Sequence, residues 1–222
     1  MKAGVLFSGG KDSVYATYLA KLNDIDVACL ITLNSENKES YMFHTPSITK
    51  VEKQAEMMDI PLIIYQTKGE KEKELNDLHQ AIRQAIDRYD IDAVITGAIE
   101  SAYQASRVQK ICDEEHIDCF NPLWQKDQFE LLHELIEHKF DIILTGVFCY
   151  PLGQSWIGRM INQEFLTDVT YLHEKYAINV AGEGGEFETF VLHCPLYERA
   201  LSVIHKKIIG KRNAWSMEIE VE

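Results

Sequence analysis

The chain has 222 residues, 46% of them hydrophobic, enough for one large domain or two small ones with a buried core. Its formal net charge of −13 argues against general nucleic-acid affinity, so a phosphate pocket here would have to be basic only locally and to use Mg²⁺. No apolar run approaches the roughly 20 residues of a membrane span, and Lys2 leads at once into a strand-like run, so neither a membrane anchor nor a signal peptide is expected.

Cys29, Cys112, Cys119, Cys149 and Cys194 form no C-x-x-C pair. An odd number of thiols scattered through apolar runs predicts reduced cysteines and a cytoplasmic setting, with no zinc or iron–sulfur centre.

In chain order, residues 2–7 read as a first strand, closing on Gly4-Val5-Leu6-Phe7, and residues 13–22 as a first helix. Between them stands Ser8-Gly9-Gly10-Lys11-Asp12-Ser13. Such a turn points successive N–H groups into one concavity beside the positive end of a helix dipole. The two glycines let an anion approach the backbone. Lys11 adds a mobile charge, and Ser8 and Ser13 add hydroxyls. The mononucleotide loop G-x-x-x-x-G-K-[ST] and the dinucleotide fingerprint G-x-G-x-x-G are both absent. The segment instead resembles the SGGxDS loop of the ATP pyrophosphatases, which cut ATP between its α and β phosphates. The plainer reading is an ordinary turn with Asp12 capping the helix.

Residues 26–33 form a second apolar strand, followed by a polar loop and by Tyr41-Met42-Phe43-His44. His44 either packs on a purine or lies under Phe43. Ile48, Val51, Ala55 and Met58 recur at helical spacing, residues 61–65 form a third strand, and 70–89 an amphipathic helix. Residues 92–96 form a fourth strand ending at Gly97, and Ala102, Ala105, Val108, Ile111 and Cys112 mark a helix that Ser101 can cap. Asp127 and Glu130 read as a capping box for a helix through His138, and 140–144 as a fifth strand. This alternation predicts an α/β protein with a parallel five-stranded sheet and helices on both faces. Beyond Gly146 the rhythm changes: 160–176 looks helical, 182–185 is a glycine turn, and 190–192, 201–209 and 215–221 look strand-like. A smaller C-terminal α+β domain is expected, dividing the chain into 1–125 and 126–222, with the boundary within 124–147.

Ligands of open parallel sheets bind beyond the carboxyl ends of the strands. Loops 8–13, 33–44, 97–101 and 146–153, following strands one, two, four and five, are therefore expected to converge. Tyr103, Gln104 and Arg107 share one face near a helix start, where a cation gains nothing from the dipole. An anion above Arg107 explains it, against the plainer surface pair with Glu100. In Gly182–Thr189, Glu183, Glu186 and Glu188 crowd into a glycine turn leading to a strand. Clustered carboxylates repel; Mg²⁺, ammonium, a cationic substrate, Arg107 or Arg159 could compensate them. The plainer reading is an acidic surface hairpin. Arg199, Lys206, Lys207, Lys211 and Arg212 form a basic strip that reads as a solvated hairpin.

Together these residues resemble the diphthine–ammonia ligase family, a branch of the ATP pyrophosphatases, over nearly the whole chain. The resemblance is carried by Ser8–Ser13, Tyr41–His44, Gly97-Ala98-Ile99 with Ser101 and Tyr103-Gln104, Arg107-Val108, Pro122-Leu123-Trp124 with Asp127-Gln128, Gly158-Arg159, and Gly182–Thr189 with Cys194-Pro195-Leu196. It implies a Rossmann-like (HUP-type) ATP-binding domain and a smaller substrate-binding domain. The implied reaction amidates the diphthine carboxylate of elongation factor 2: ATP activates the acid as an acyl-adenylate, ammonium supplies nitrogen, and AMP and pyrophosphate leave. Ala105 stands where the family often has Arg, and His193 where it often has Asp.

On this resemblance Ser8, Gly9, Gly10, Lys11, Asp12 and Ser13 hold the phosphates, with Asp12 also on Mg²⁺, and Leu33, His44, Gly97 and Ala98 meet the nucleotide. Lys11, Asp12, Arg107 and Glu186 would be catalytic. Tyr103, Gln104, Arg107, Arg159, Glu183, Gly185, Glu186, Glu188 and Thr189 would meet the substrate. Two alternatives stay open: an ATP pyrophosphatase acting on a different, small-molecule acid, and a non-catalytic ATP-binding sensor. Expected partners are elongation factor 2 or another acid, and ammonium; nucleic acid and membrane are not expected, and homo-oligomerisation is left open.

Overall fold

The N-terminal alternation of strand and helix closes into one parallel sheet. A computed structural model describes residues 1–35, 48–68 and 73–222. The chain divides into two compact units, Met1–Trp124 and Gln125–Glu222. The first contains β1 (Lys2–Leu6), α1 (Lys11–Leu22), β2 (Asp26–Ser35), α2 (Ile48–Met58), β3 (Leu62–Thr67), α3 (Lys73–Tyr89), β4 (Ala93–Ile95), α4 (Ala102–Glu115) and β5 (Asp118–Phe120). Its sheet has the order β3-β2-β1-β4-β5, and every neighbouring pair is parallel. The loop carrying Tyr41–His44 lies outside the described residues.

Burial follows the pleat and the helical period. Cys29, Ile31 and Leu33 of β2 pack with Ile63, Val94, Leu78, Ala81, Ile82 and Ala85, and with Val108, Ile111 and Cys112 of α4. The α3 positions recur at helical spacing and form the expected apolar stripe. The alternate β2 residues Leu30 and Thr32 are buried as well, so both sheet faces are covered.

The order reverses on either side of β1, and β1 pairs directly with β4. The carboxyl ends of these two strands therefore form the topological switch point, where open α/β sheets bind ligands. Residues 8–13 and 96–101 leave the sheet at this point.

One expectation is corrected. The fifth parallel strand is Asp118–Phe120, not residues 140–144. Three residues at a sheet edge with two of them exposed carry no apolar alternation, so the segment left no periodic signal. The apolar run at 140–144 belongs to β6 (Asp141–Val147) in a second, antiparallel sheet. The loop at 146–153 accordingly does not join loops 8–13 and 97–101 at the ends of one sheet.

The second unit consists of α5 (Gln128–Glu137), β6, α6 (Gln163–Tyr176), β7 (Phe187–His193), β8 (Val203–Lys211) and β9 (Ala214–Val221), with sheet order β7-β6-β9-β8. Asp127 caps α5 by accepting from the N–H groups of Phe129 and Glu130 at 3.0 and 2.9 Å. Asn162 caps α6 in the same way through Phe165 N–H, which is why that helix starts at Gln163 and not at Met160. Leu131, Leu132, Leu135, Leu144, Phe165 and Phe190 are fully or almost fully buried. Every residue of β8 is exposed, and Lys207 and His205 stand opposite Glu218 and Glu220 of β9. The basic strip is thus a solvated edge whose charges are partly matched across the ladder.

Cys29 and Cys194 have no exposed surface, and burial pushes each thiol up to about 12. An unfolded thiol ionises near 9, so between these values the unfolded state binds fewer protons than the folded one and stability falls as pH rises. Denaturant titrations from pH 8 to 10.5 should show a loss approaching about 1.4 kcal/mol per pH unit for each thiol. Cys29→Ala and Cys194→Ala should each flatten that slope; an unchanged slope in both would refute the assignment.

Candidate functional site

Gly9 takes φ +78°, a conformation that glycine adopts without strain. Gly10 is the N-cap of α1, and among the described residues no side chain caps that helix. The backbone N–H groups of its first turn thus open beside the positive end of the dipole. Two serines fold the loop: Ser8 N–H donates to Ser13 Oγ at 3.2 Å, and Ser13 Oγ donates to the Gly10 carbonyl at 3.1 Å. Gly10 N–H reaches Ser8 Oγ only at 3.4 Å.

Lys11 is 3% exposed, and its Nζ donates to both carboxylate oxygens of Asp12 at 2.9 and 2.8 Å. A buried ammonium needs such a partner. The side chains expected to neutralise phosphate and to hold Mg²⁺ therefore neutralise each other here. Among the described residues no cluster of three metal-type ligands occurs. A single carboxylate beside a phosphate cradle nonetheless suits Mg²⁺, which takes one or two protein oxygens and completes its shell with phosphates and water.

Gly97 follows β4. A Cβ there would stand 2.7 Å from the Asp12 carbonyl carbon and 2.9 Å from Ser13 N. Its lack of a side chain is demanded by the first turn of α1 itself, where the sequence pointed only to a ligand. Ala98 N–H donates to Thr96 Oγ1 at 3.1 Å, and Thr96 in turn donates to Asn121. The 96–98 turn is thereby tied to the segment after β5. Leu33 buries its side chain in the core, leaving only its backbone to meet a nucleotide.

Ser101 caps α4 through Gln104 N–H. Arg107 lies over the Tyr103 ring, with Cζ 3.2 Å from its centroid, and Nη1 donates to the Tyr103 carbonyl. Its Nε is buried and has no hydrogen-bond partner among the described residues.

In the second unit the glycine turn is organised by Asn179. Its Oδ1 accepts from the N–H groups of Ala181 and Glu183 at 3.0 and 3.1 Å. Gly182 and Gly185 take φ +80° and +82°, and the Phe187 ring fills the space beside Gly182. Glu186 Oε1 accepts from Asn179 N–H at 3.0 Å, while Oε2 is buried without a partner among the described residues. Glu188 Oε2 and the Phe148 ring both lie against Gly146. Cys149 belongs to this neighbourhood: burial raises its thiol pKa, and the charge of Glu186 raises it further.

Arg159 is not the cation that compensates these glutamates. Its guanidinium pairs with Asp168, lies 3.7 Å from Glu164, and stacks on Trp156 at 4.6 Å. Two carboxylates of α6 occupy it, a pairing across a loop that no local pattern announces.

Sequence reasoning missed four residues. Gln54 of α2 donates to the Gly9 carbonyl at 3.0 Å, across a separation of 45 residues and with no motif to mark it. Thr96 with Asn121 was equally silent. Asn179 had a local signal, an Asn shortly before a glycine turn.

A glycine loop and an uncapped helix start at the switch point of a parallel sheet define an α/β nucleotide-binding protein, carrying a second α+β unit. Comparison with known proteins gives the family. The model of the Diphthamide synthase N-terminal domain matches residues 1–118, and that of the Diphthamide synthase C-terminal domain residues 127–221. The chain belongs to the diphthamide synthase family, and is an ATP-dependent ligase that forms a carbon–nitrogen bond. The diphthine–ammonia ligase of Danio rerio is 31% identical over 91% of this chain and 86% of its own length, and that of Homo sapiens 28% identical over 94% and 85%. The diphthine–ammonia ligase of Schizosaccharomyces pombe is 30% identical over 94% of this chain, which spans only 37% of that longer protein. Among solved structures, a predicted subunit of tRNA methyltransferase from Methanocaldococcus jannaschii aligns at TM-score 0.45 and 18% identity, covering 88% of this chain and 98% of that one; nothing rests on that likeness. Among the described residues no helix is long and apolar enough to cross a membrane.

Two outcomes follow from this geometry. Gly97→Ala should cost about 1–3 kcal/mol in denaturant titration, because the Cβ meets backbone that cannot swing aside; an unchanged midpoint would mean the strand–helix junction is not close-packed. Glu186→Gln removes a negative charge beside Cys149 and should lower that thiol's pKa. Iodoacetamide at pH 8 should then alkylate Cys149 faster than in the parent, and an equal or slower rate would refute the coupling.

Proposed function

We propose that the chain adenylates a carboxylate with ATP and passes the acyl group to ammonium, releasing AMP and pyrophosphate. The diphthine carboxylate of elongation factor 2 is the favoured acid. The single observation that carries this reading is the 8–13 loop: positive-φ Gly9, uncapped α1 and a buried lysine, set at the β1–β4 switch point. The name shared by seven similar proteins, diphthine–ammonia ligase, supports the acid and the nitrogen donor.

In this reading residues 1–125 bind ATP and 126–222 bind the acyl substrate. The N–H groups of residues 9–13, with Ser8 and Ser13, receive the β and γ phosphates. Lys11 exchanges Asp12 for the phosphate chain, and its charge then stabilises the departing pyrophosphate. Released from Lys11, Asp12 is free to hold Mg²⁺, which when bound would screen the phosphate charge. Gly97 and Ala98, with the Leu33 backbone, border the nucleotide. Arg107, raised on Tyr103 with its Nε unmet, receives the carboxylate or the adenylate. Within the first unit Tyr103 and Gln104 are proposed contacts for an acid, within the second Gly185 and Thr189 are, and Arg159 shapes the second unit through Asp168. Glu186 and Glu188, with Glu183 at the rim, attract ammonium or a cationic group on the substrate. Adenyl transfer needs little side-chain acid–base chemistry; positioning and charge neutralisation supply most of the rate.

The test incubates the protein with ATP, Mg²⁺, ammonium and diphthine-bearing elongation factor 2, and measures AMP and amidated product. Lys11→Ala should lower AMP formation by about a hundredfold or more while leaving the circular dichroism spectrum intact. Release of ADP in place of AMP would refute α–β cleavage. AMP formed only with another acid would refute the diphthine assignment, and ATP binding without turnover on any acid would leave a sensor.

A further inference from the structure

We propose that Gln54 is a positioning residue of the phosphate loop: it holds the Gly9 peptide in the one orientation that turns Gly10 N–H toward the phosphate. The inference rests on the reading of the 8–13 loop as the ATP cradle.

Gln54 is a polar side chain with no exposed surface, on a face of α2 that also buries Val51, Ala55 and Met58. Its Nε2 donates to the Gly9 carbonyl at 3.0 Å. Its Oε1 fills the position where a Gly9 Cβ would stand, 2.2 Å from that ideal atom. The side chain thus does two things at once: it fixes the carbonyl, and it occupies the space a larger residue would need.

The consequence comes from peptide geometry. The Gly9–Gly10 peptide is planar and trans, so its C=O and N–H point in opposite directions. A carbonyl held toward α2 sends Gly10 N–H to the opposite side, where its partner is Ser8 Oγ at a long 3.4 Å. That N–H is the donor an anion can take over with little loss. With φ of +78°, Gly9 has neighbouring orientations of similar energy, because glycine tolerates both signs of φ. The loop alone does not select one of them. A buried amide, anchored in a helix and reaching across 45 positions of sequence, does. Removing it leaves the buried Gly9 carbonyl unsatisfied, and the peptide can rotate to recover a partner, which turns Gly10 N–H away from the cradle.

The experiment measures binding of a non-hydrolysable ATP analogue, with Mg²⁺, to the full chain by calorimetry, beside AMP-release kinetics in ATP and in ammonium. Gln54→Met keeps the volume and removes the donor. It should weaken analogue binding about tenfold, the worth of one hydrogen bond, and raise KM for ATP in parallel, while KM for ammonium stays within twofold. A merely structural role would lower thermal stability without separating those two KM values. Gly9→Ala should also weaken binding, and Gly9→Ala with Gln54→Ala should bind more tightly than the product of the two separate losses, because the new methyl enters the vacated space. A folded Gln54→Met that binds the analogue within twofold of the parent overturns the inference and leaves the ATP reading standing. A parent chain that binds no analogue overturns both.

Discussion

The first turn of α1 lies almost against the end of β4, and that close approach is the constraint on which the nucleotide unit depends. It is possible only because Gly97 has no side chain; a methyl there would sit 2.7 Å from the backbone of Asp12. The sheet order then brings two loop exits to one place, since β1 and β4 are neighbours on either side of the reversal. Thr96, bonded to Asn121 and to Ala98 N–H, holds the second exit from behind. A positive helix end, two glycine-bearing loops and a buried cation follow from this packing; no separate pocket has to be built on the sheet.

Electrostatics completes the arrangement in a chain of net charge −13. A lysine 3% exposed would be costly if unpaired, and the carboxylate next to it supplies the partner. In the proposed reading, an arriving anion would offer the ammonium a second acceptor in place of this one. Asp12 is the more exposed of the two, 27% against 4% by side chain, so its carboxylate has the freer access to solvent. A lysine pinned by a fully buried carboxylate would not be released so readily.

The parts of the fold that were legible in the sequence are those fixed by local chemistry. The glycine loop, the apolar stripe of α3 and the caps Ser101 and Asp127 are each written within a few residues, and the structure places them as read. What was not legible depends on partners far along the chain. Residues 140–144 are a strand as expected, but which sheet a strand joins is decided by its neighbours, and β6 pairs with β7 and β9. Asp118–Phe120 is too short for a period to show. Arg159 was open to any anion until Asp168 and Glu164 came to it. Gln54 carried no signal, since a glutamine in a helix is ordinarily a solvated residue.

The two arginines raised by the sequence part company on the same physical ground. Both stack on an aromatic ring, Arg107 on Tyr103 and Arg159 on Trp156. Stacking fixes a guanidinium plane without satisfying its N–H groups, so the remaining donors decide what each can do. At Arg159 two carboxylates of α6 take those donors, and the residue ties the segment before α6 to the helix. At Arg107 the donated bond goes to a neutral carbonyl, and the buried Nε has no partner among the described residues. A guanidinium desolvated on one edge and uncompensated in charge is worth more to an arriving carboxylate than one already neutralised. The difference follows from hydrogen-bond bookkeeping on each side chain: Arg107 keeps a buried donor without a partner among the described residues, which supports the anion contact proposed for it, and Arg159 braces the second unit.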